Sequence, residues 1–287
     1  MSAAAPGTVW ITGAGGLIGN YLFQTAPAFS PGRKVLGLTR PGLDLADFAA
    51  VRQAFRRDHP QLVIHCAAIS KTNECQANPA LARKLNVEVT ALLAELAANI
   101  PLIFFSTDLV FDGRAGLYEE LAAPNPLSIY AETKLAAERV VLANPCHTVV
   151  RTSLNGGVSP TGNRGFNEEI RRAWQAGKTL RLFVDEFRSP MSARVTARAV
   201  WELAAHPPPG LFHLAGSERL SRWQIGQLLA ARWPQLHPKL EPASLQEYQG
   251  APRAPDTSLN CAKVQSLLSF SLPGLSDWLR ANPEEVF

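Results

Sequence analysis

Val9-Trp10-Ile11-Thr12 runs without interruption into Gly13-Ala14-Gly15-Gly16-Leu17-Ile18-Gly19, and this junction restricts the fold more than any other stretch of the chain. The apolar run predicts a buried strand, and the glycine order Gly13-x-x-Gly16-x-x-Gly19 predicts a tight turn into a helix. Gly13 permits the turn, Gly16 lets the backbone approach a pyrophosphate, and Gly19 lets the helix pack closely on the sheet. The anion would rest on the helix N-terminus, where free N–H groups and the macrodipole favour negative charge. Three glycines alone also suit an ordinary turn. A strand before them and a helix after them are what point to a dinucleotide.

The same alternation continues through the first half. Strands are predicted at Thr8–Thr12, Lys34–Leu38, Leu62–His65, Leu102–Ser106 and Thr148–Arg151, and helices at Leu17–Ala28, Asp47–Arg57, Pro79–Asn99 and Ser128–Asn144. The strands are almost continuously apolar, as expected where helices cover both sheet faces. The fold class is therefore α/β, a Rossmann-type doubly wound parallel sheet with a smaller, irregular α+β portion for substrate. Residues 1–155 form the dinucleotide-binding domain, completed by about 191–215, which includes a helix at Ser192–Ala205 and a short strand at Leu211–Leu214. Residues 156–190 and 216–287 form the substrate-binding portion, with helices near Phe166–Gln175, Ser221–Arg232 and Ser276–Ala281. Gly156–Asn163, rich in Gly, Ser, Pro and Asn, reads as a loop leaving the sheet.

The end of the second strand bears on which dinucleotide. An acid there would bond the ribose 2′-hydroxyl of NAD, whereas an arginine suits the 2′-phosphate of NADP. The chain has Leu38-Thr39-Arg40 and no acid before Asp44, which favours NADP(H) over NAD(H). A solvated loop charge is the plainer reading of Arg40.

Ile129-Tyr130-Ala131-Glu132-Thr133-Lys134 puts a tyrosine and a lysine four apart on one helix face. A phenol titrates near pH ~10, too high for efficient proton exchange at neutrality. A lysine ammonium ~4 Å away, at an effective dielectric near 20, would favour phenolate by ~4 kcal/mol. Lys134 is thus expected to tune Tyr130. A surface helix pair is the alternative. Phe104-Phe105-Ser106-Thr107-Asp108 closes the fourth strand, where doubly wound folds bind ligands, and a Thr107 hydroxyl there can bond a substrate carbonyl oxygen. It would equally serve as a strand-end cap.

Composition removes other classes. The chain has 287 residues, 46% hydrophobic and 18% charged, so it can build a large core. Its mean hydropathy is −0.02, and its longest apolar runs are too short to cross a bilayer, so no membrane partner is expected. Met1–Pro6 shows no charged segment followed by an apolar run; no signal peptide is expected, and the expected compartment is cytoplasmic. The net charge of +4 comes from 28 Lys and Arg scattered along the chain, without the dense basic runs of a nucleic-acid binder. Four scattered cysteines and six histidines give neither a disulfide framework nor metal spacing, so no metal is expected.

Assembled, these residues resemble the extended short-chain dehydrogenases/reductases, and within them the dTDP-4-dehydrorhamnose reductase family. The resemblance covers nearly the whole chain. It is carried by Thr12–Gly19, Asp44-Leu45, Val63–Ala68, Asn86-Val87, Ser106-Thr107-Asp108-Leu109-Val110-Phe111-Asp112-Gly113, Tyr130–Lys134 and Arg151-Thr152-Ser153. It implies a carbonyl reductase with Thr107, Tyr130 and Lys134 as the catalytic set, Lys134 also bonding the nicotinamide ribose. Gly13, Gly16, Leu17, Ile18, Asp44, Leu45, Ala67, Ala68 and Ile69 would line the cofactor, beside the Thr39 and Arg40 read from the end of the second strand and with Tyr130 and Lys134 at its nicotinamide end, and Asn86 would be a structural support. Thr107 and Asp108 would also meet the substrate, a sugar or nucleotide sugar. Rhamnose-forming members carry a tryptophan after Arg-Thr-Ser; here Leu154 stands there, which points to a different substrate. Arg188 and Arg253 are candidate phosphate or hydroxyl partners, with structural salt bridges an equal alternative. Two other readings stay open: an NADP-binding regulatory subunit similar to the methionine adenosyltransferase β subunit, and a nucleotide-sugar epimerase or dehydratase. A homodimer is an assembly open to any of them.

Overall fold

The computed structural model describes residues 7–250, 252–285 and Phe287. Met1–Pro6, read above for a leader, and Ala251, beside the Arg253 segment, lie outside the described residues.

Strands β1 (Thr8–Thr12), β2 (Lys34–Leu38), β3 (Pro60–His65), β4 (Leu102–Thr107) and β5 (Thr148–Thr152) pair with the later strand Gly210–Leu214 in one six-stranded sheet. Every pairing in it is parallel. The order is Gly210–Leu214, β5, β4, β3, β1, β2, so the strand order reverses between β1 and β3. A crevice opens there at the carboxyl ends, the usual ligand position in such sheets. Helices α1 (Leu17–Phe29), α2 (Phe48–Asp58), α3 (Thr72–Ala77), α4 (Pro79–Arg83), α5 (Val89–Leu96) and α6 (Ile129–Leu142) make the crossovers of the first half. Among the described residues no helix is long and apolar enough to cross a membrane.

Two buried layers flank the sheet. Val9, Ile11 and Ile64 point into one, against Leu22 of α1 and the helix Ala193–Ala205. Trp10, Val63 and Phe104 point into the other, against α2 and α5. This is the period-two alternation of strands covered on both faces. Trp201 fixes the first layer by donating its indole N–H to Leu22 O at 3.1 Å. Burying a side chain such as Leu22 stabilises by ~1.5–3 kcal/mol.

The helix expected over Pro79–Asn99 runs without a gap from Pro79 to Leu96 but changes its winding on the way. A π-turn, Lys84–Glu88, sits between α4 and α5 and contains Asn86. The buried Asn86 amide accepts from Ile69 N–H at 2.9 Å and donates to Ile69 O at 3.1 Å and Thr133 Oγ1 at 3.0 Å. Such turns are frequent at functional sites. The second half holds more strand than expected: Thr179–Phe183 pairs in parallel with Lys239–Ala243 as a separate two-stranded sheet.

Candidate active site

The turn after β1 has the geometry that its glycines suggest. Gly13 has φ +71°, and a Cβ there would come within 2.7 Å of Ala67 N, across the crevice. A Cβ on Gly19 would run into the Gly13 carbonyl. These close approaches bring β1, β3 and the first turn of α1 together around free N–H groups. Thr12 Oγ1 stitches the two strand ends, contacting His65 Nδ1 at 2.6 Å and accepting from Ala67 N–H at 3.2 Å. Burial and the nearby Lys134 charge push His65 down to about 3, so it stays neutral under ordinary conditions.

A cavity of about 1110 Å³ opens over this crevice. It exceeds the ~300–1,000 Å³ of ordinary small-molecule sites, as a site for two ligands requires. Gly13, Gly16, Leu17 and Ile18 border it from the first turn, and Thr39, Arg40, Asp44 and Leu45 from beyond β2. Ala67, Ala68 and Ile69 border it from beyond β3, Thr107 and Asp108 from the end of β4, and Tyr130 and Lys134 from α6. Leu154, Arg188 and Arg253 complete the wall opposite. The glycine cradle and the size of the cavity fit a dinucleotide. No cluster of three metal-ligating side chains occurs among the described residues.

Tyr130 and Lys134 are both buried, and this changes the expected electrostatics. Burial pushes the Tyr130 phenol up from its usual value, with Thr107 acting against the rise and Asp108 and Cys75 adding to it. Burial pushes the Lys134 ammonium down to about 7, while Glu138 and Cys66 act to raise it. Its Nζ lies 3.9 Å above the Phe104 ring. The expected lowering of Tyr130 by Lys134 is therefore not the balance struck here. Both groups have lost most of their contact with water, and a lysine titrating near neutrality offers only part of a charge. The phenol is held protonated.

Thr107 serves the chain as well as the cavity. Its Oγ1 accepts from Leu109 N–H at 3.2 Å, capping the turn Asp108–Val110, and donates to Asp108 Oδ1 at 3.2 Å. Asp108 is buried, and its Oδ2 accepts from Ser153 Oγ at 2.6 Å and Thr257 Oγ1 at 2.9 Å. It ties the end of β4 to the wall opposite.

Arg188 and Arg253 are both salt-bridged and both face the cavity. Glu186, fully buried, meets Arg188 Nη2 at 3.1 Å, Arg222 Nε at 2.8 Å and Arg253 Nε at 2.6 Å. Burial opposes the charge on Glu186, but the three arginines, Arg222 foremost, hold the carboxyl down at about 2. Arg188 Nε also lies 3.8 Å from Asp108 Oδ2, so three guanidiniums face two carboxylates and this end of the cavity keeps one net positive charge. Arg222 was missed in the sequence. The Ser221–Gln224 capping box was a signal for where its helix begins, although not for which way the side chain faces. Arg40 pairs with Asp44 at 4.0 Å, both exposed, a weak contact in water.

The family described as RmlD substrate binding domain matches residues 7–282, and the chain belongs to that family. A dTDP-4-dehydrorhamnose reductase of Sinorhizobium fredii is 30% identical over 265 residues, covering 87% of this chain and 88% of that protein. Methionine adenosyltransferase 2 subunit beta of Xenopus laevis is 29% identical over 273 residues, covering 90% and 81%. Among solved structures, dTDP-4-dehydrorhamnose reductase of Bacillus anthracis in complex with NADP superposes with a TM-score of 0.88, at 22% identity, over 96% of this chain and 98% of that one.

Proposed function

We propose that this member of the RmlD substrate binding domain family reduces the keto group of a nucleotide-linked or related sugar, with NADPH as reductant. The chain is an NAD(P)-dependent oxidoreductase of the extended short-chain dehydrogenase/reductase type. One observation carries the finer reading: Thr107, Tyr130 and Lys134 border the same cavity as the glycine turn at the head of α1. NADPH held at the glycine turn and at Lys134 would supply the hydride for the carbonyl carbon. Tyr130, kept protonated by burial, gives its proton to the developing alkoxide, and the product is an alcohol. Thr107 bonds that oxygen and orients it. Lys134 holds the ribose and supports the tyrosinate left behind. The positive end of the cavity, at Arg188, Arg222 and Arg253, suits the phosphates of a nucleotide sugar. The regulatory-subunit reading has the Xenopus relative in its favour, and intact Thr107, Tyr130 and Lys134 against it. Turnover of any ketone by the purified protein decides between them.

The NADP preference rests on Arg40, whose weak pairing with Asp44 leaves it free to meet a 2′-phosphate. Calorimetric titration is expected to show NADPH binding more tightly than NADH, with Arg40→Asp reversing or erasing the difference. Equal affinities before and after the substitution would remove Arg40 from the cofactor site.

The substrate is the second test. Leu154 contributes to the core with part of its surface and faces the cavity with the rest. Loss of an aromatic contact of ~0.5–1.5 kcal/mol weakens binding by about tenfold or less, whereas unmatched polar groups discriminate far more strongly. Poor turnover of dTDP-4-dehydrorhamnose is expected, with better turnover of another keto sugar, when a panel is compared with and without Leu154→Trp. A kcat/KM of about 10⁴ M⁻¹s⁻¹ or above for the rhamnose precursor, typical of an enzyme on its own substrate, would make Leu154 a neutral variation.

A further inference from the structure

Beyond β5 the chain crosses the first turn of α1 before entering the helix α7 (Phe166–Gln175), and this crossing is firmly built. Glu168, buried, accepts from Ser159 N–H at 2.7 Å, Ser159 Oγ at 2.8 Å, Arg164 N–H at 2.8 Å and Gly165 N–H at 2.9 Å. Asn167 and Gly157 exchange bonds of 3.0 and 2.9 Å. The segment is also joined to α1, because Val158 N–H donates to Tyr21 Oη at 3.1 Å. A Cβ on Gly165 would lie 3.4 Å from Leu17 Cδ2, at the first residue of α1. The strap between these anchors turns Pro160, Thr161, Asn163 and Arg164 toward the cavity, which Gly15, Gly16 and Leu17 border from the other side.

Arg164 differs from the other arginines there. Arg40 pairs with Asp44, and Arg188, Arg222 and Arg253 share Glu186. Among the described residues the Arg164 guanidinium has no ion pair, while its own backbone is fixed by the buried Glu168. A cation aimed by a rigid strap at a cavity, beside free helix N–H groups and with no carboxylate of its own, has an anion as its natural complement.

We propose that Arg164 is a cofactor-binding residue that closes over the diphosphate bridge of the dinucleotide, with Glu168 as the residue that positions it. The proposal rests on the dinucleotide reading above and adds to it a second clamp, across the cavity from the glycine turn. A diphosphate is common to NADPH and NADH, so Arg164 acts on both alike, in contrast to Arg40 at the 2′-phosphate.

The test is calorimetric titration of NADPH and of NADH into the unaltered protein, Arg164→Ala and Arg164→Lys. Arg164→Ala is expected to weaken both dinucleotides by the same factor, about tenfold, which is ~1.4 kcal/mol. Arg164→Lys should recover part of the loss, and raising the salt should shrink the gap between the alanine variant and the unaltered protein. Thermal melting without nucleotide should be unchanged, since the side chain has no hydrogen-bond or ion-pair partner among the described residues. Affinities within twofold of the unaltered protein for both dinucleotides would overturn the proposal. A loss confined to NADPH would also overturn it, by moving Arg164 to the 2′-phosphate. If the unaltered protein binds neither dinucleotide, the cofactor reading falls and this proposal with it; normal binding with an indifferent Arg164 removes the proposal alone.

Discussion

Tyr130→Phe is expected to lose turnover by about 10²–10⁴-fold, the usual cost of removing a positioned general acid. The substitution keeps the ring, which packs with Cys75 and Ala82 in a small buried cluster. It removes only a hydroxyl whose proton burial retains. Folding should therefore survive, and NADPH affinity by calorimetry should change little, because the phenol is not among the groups expected to hold the phosphates. The comparison to make is kcat against KM. An interaction made only in the transition state lowers kcat and kcat/KM together, whereas a lost ground-state contact raises KM alone. Near-full turnover by the phenylalanine variant would mean that the proton comes from another group, and Asp108 and Thr107 would be the next to examine.

The parts of this site legible in the sequence are those in which one short segment carries both the geometry and the chemistry. The run from Val9 to Gly19 contains a strand, a turn that needs φ > 0° and a helix start, so it specifies its own structure. Tyr130 and Lys134 share a helix face by spacing alone. Burial, in contrast, is a property of the assembled fold. The i, i+4 spacing predicted their proximity, but not that both would lose water and that the phenol would move up instead of down. The Glu186 cluster draws on residues 36 and 67 positions away in Arg222 and Arg253, and nothing local announces it. The paired strands Thr179–Phe183 and Lys239–Ala243 were hidden for a related reason. They are half exposed, interrupted by Arg181, Glu241 and Pro242, and lack the continuous apolar run of the central sheet. A proline is tolerated in such a strand because the strand lies at a sheet edge.

Glu138→Leu is expected to destabilise the protein by ~3–5 kcal/mol, the cost of leaving one member of a buried ion pair alone. Glu138 and Arg151 are both almost inaccessible, with Nε to Oε1 at 2.9 Å and Nη2 to Oε2 at 2.6 Å, a bidentate fork. Glu138 Oε1 also accepts from Ser106 Oγ, next to Thr107 at the end of β4. Arg151 Nη1 makes no hydrogen bond, and Glu138 is the one carboxylate paired with Arg151, among the described residues. For a chain of this size the loss corresponds to a fall of about 5–8 °C in Tm. Adding Arg151→Met removes the stranded charge, and the double variant should regain much of the stability, because an apolar pair of similar volume is often no worse than a buried salt bridge. Activity should not return in step. Glu138 acts to raise Lys134, which burial has already pushed down to about 7. Without that carboxylate Lys134 deprotonates at lower pH, and the alkaline limb of kcat/KM should move toward acid in the double variant even where Tm has recovered. A Glu138→Leu variant that melts within 2 °C of the unaltered protein would show that the fork is not holding β4 and α6 together. A double variant with both normal melting and an unmoved alkaline limb would separate Glu138 from the catalytic lysine.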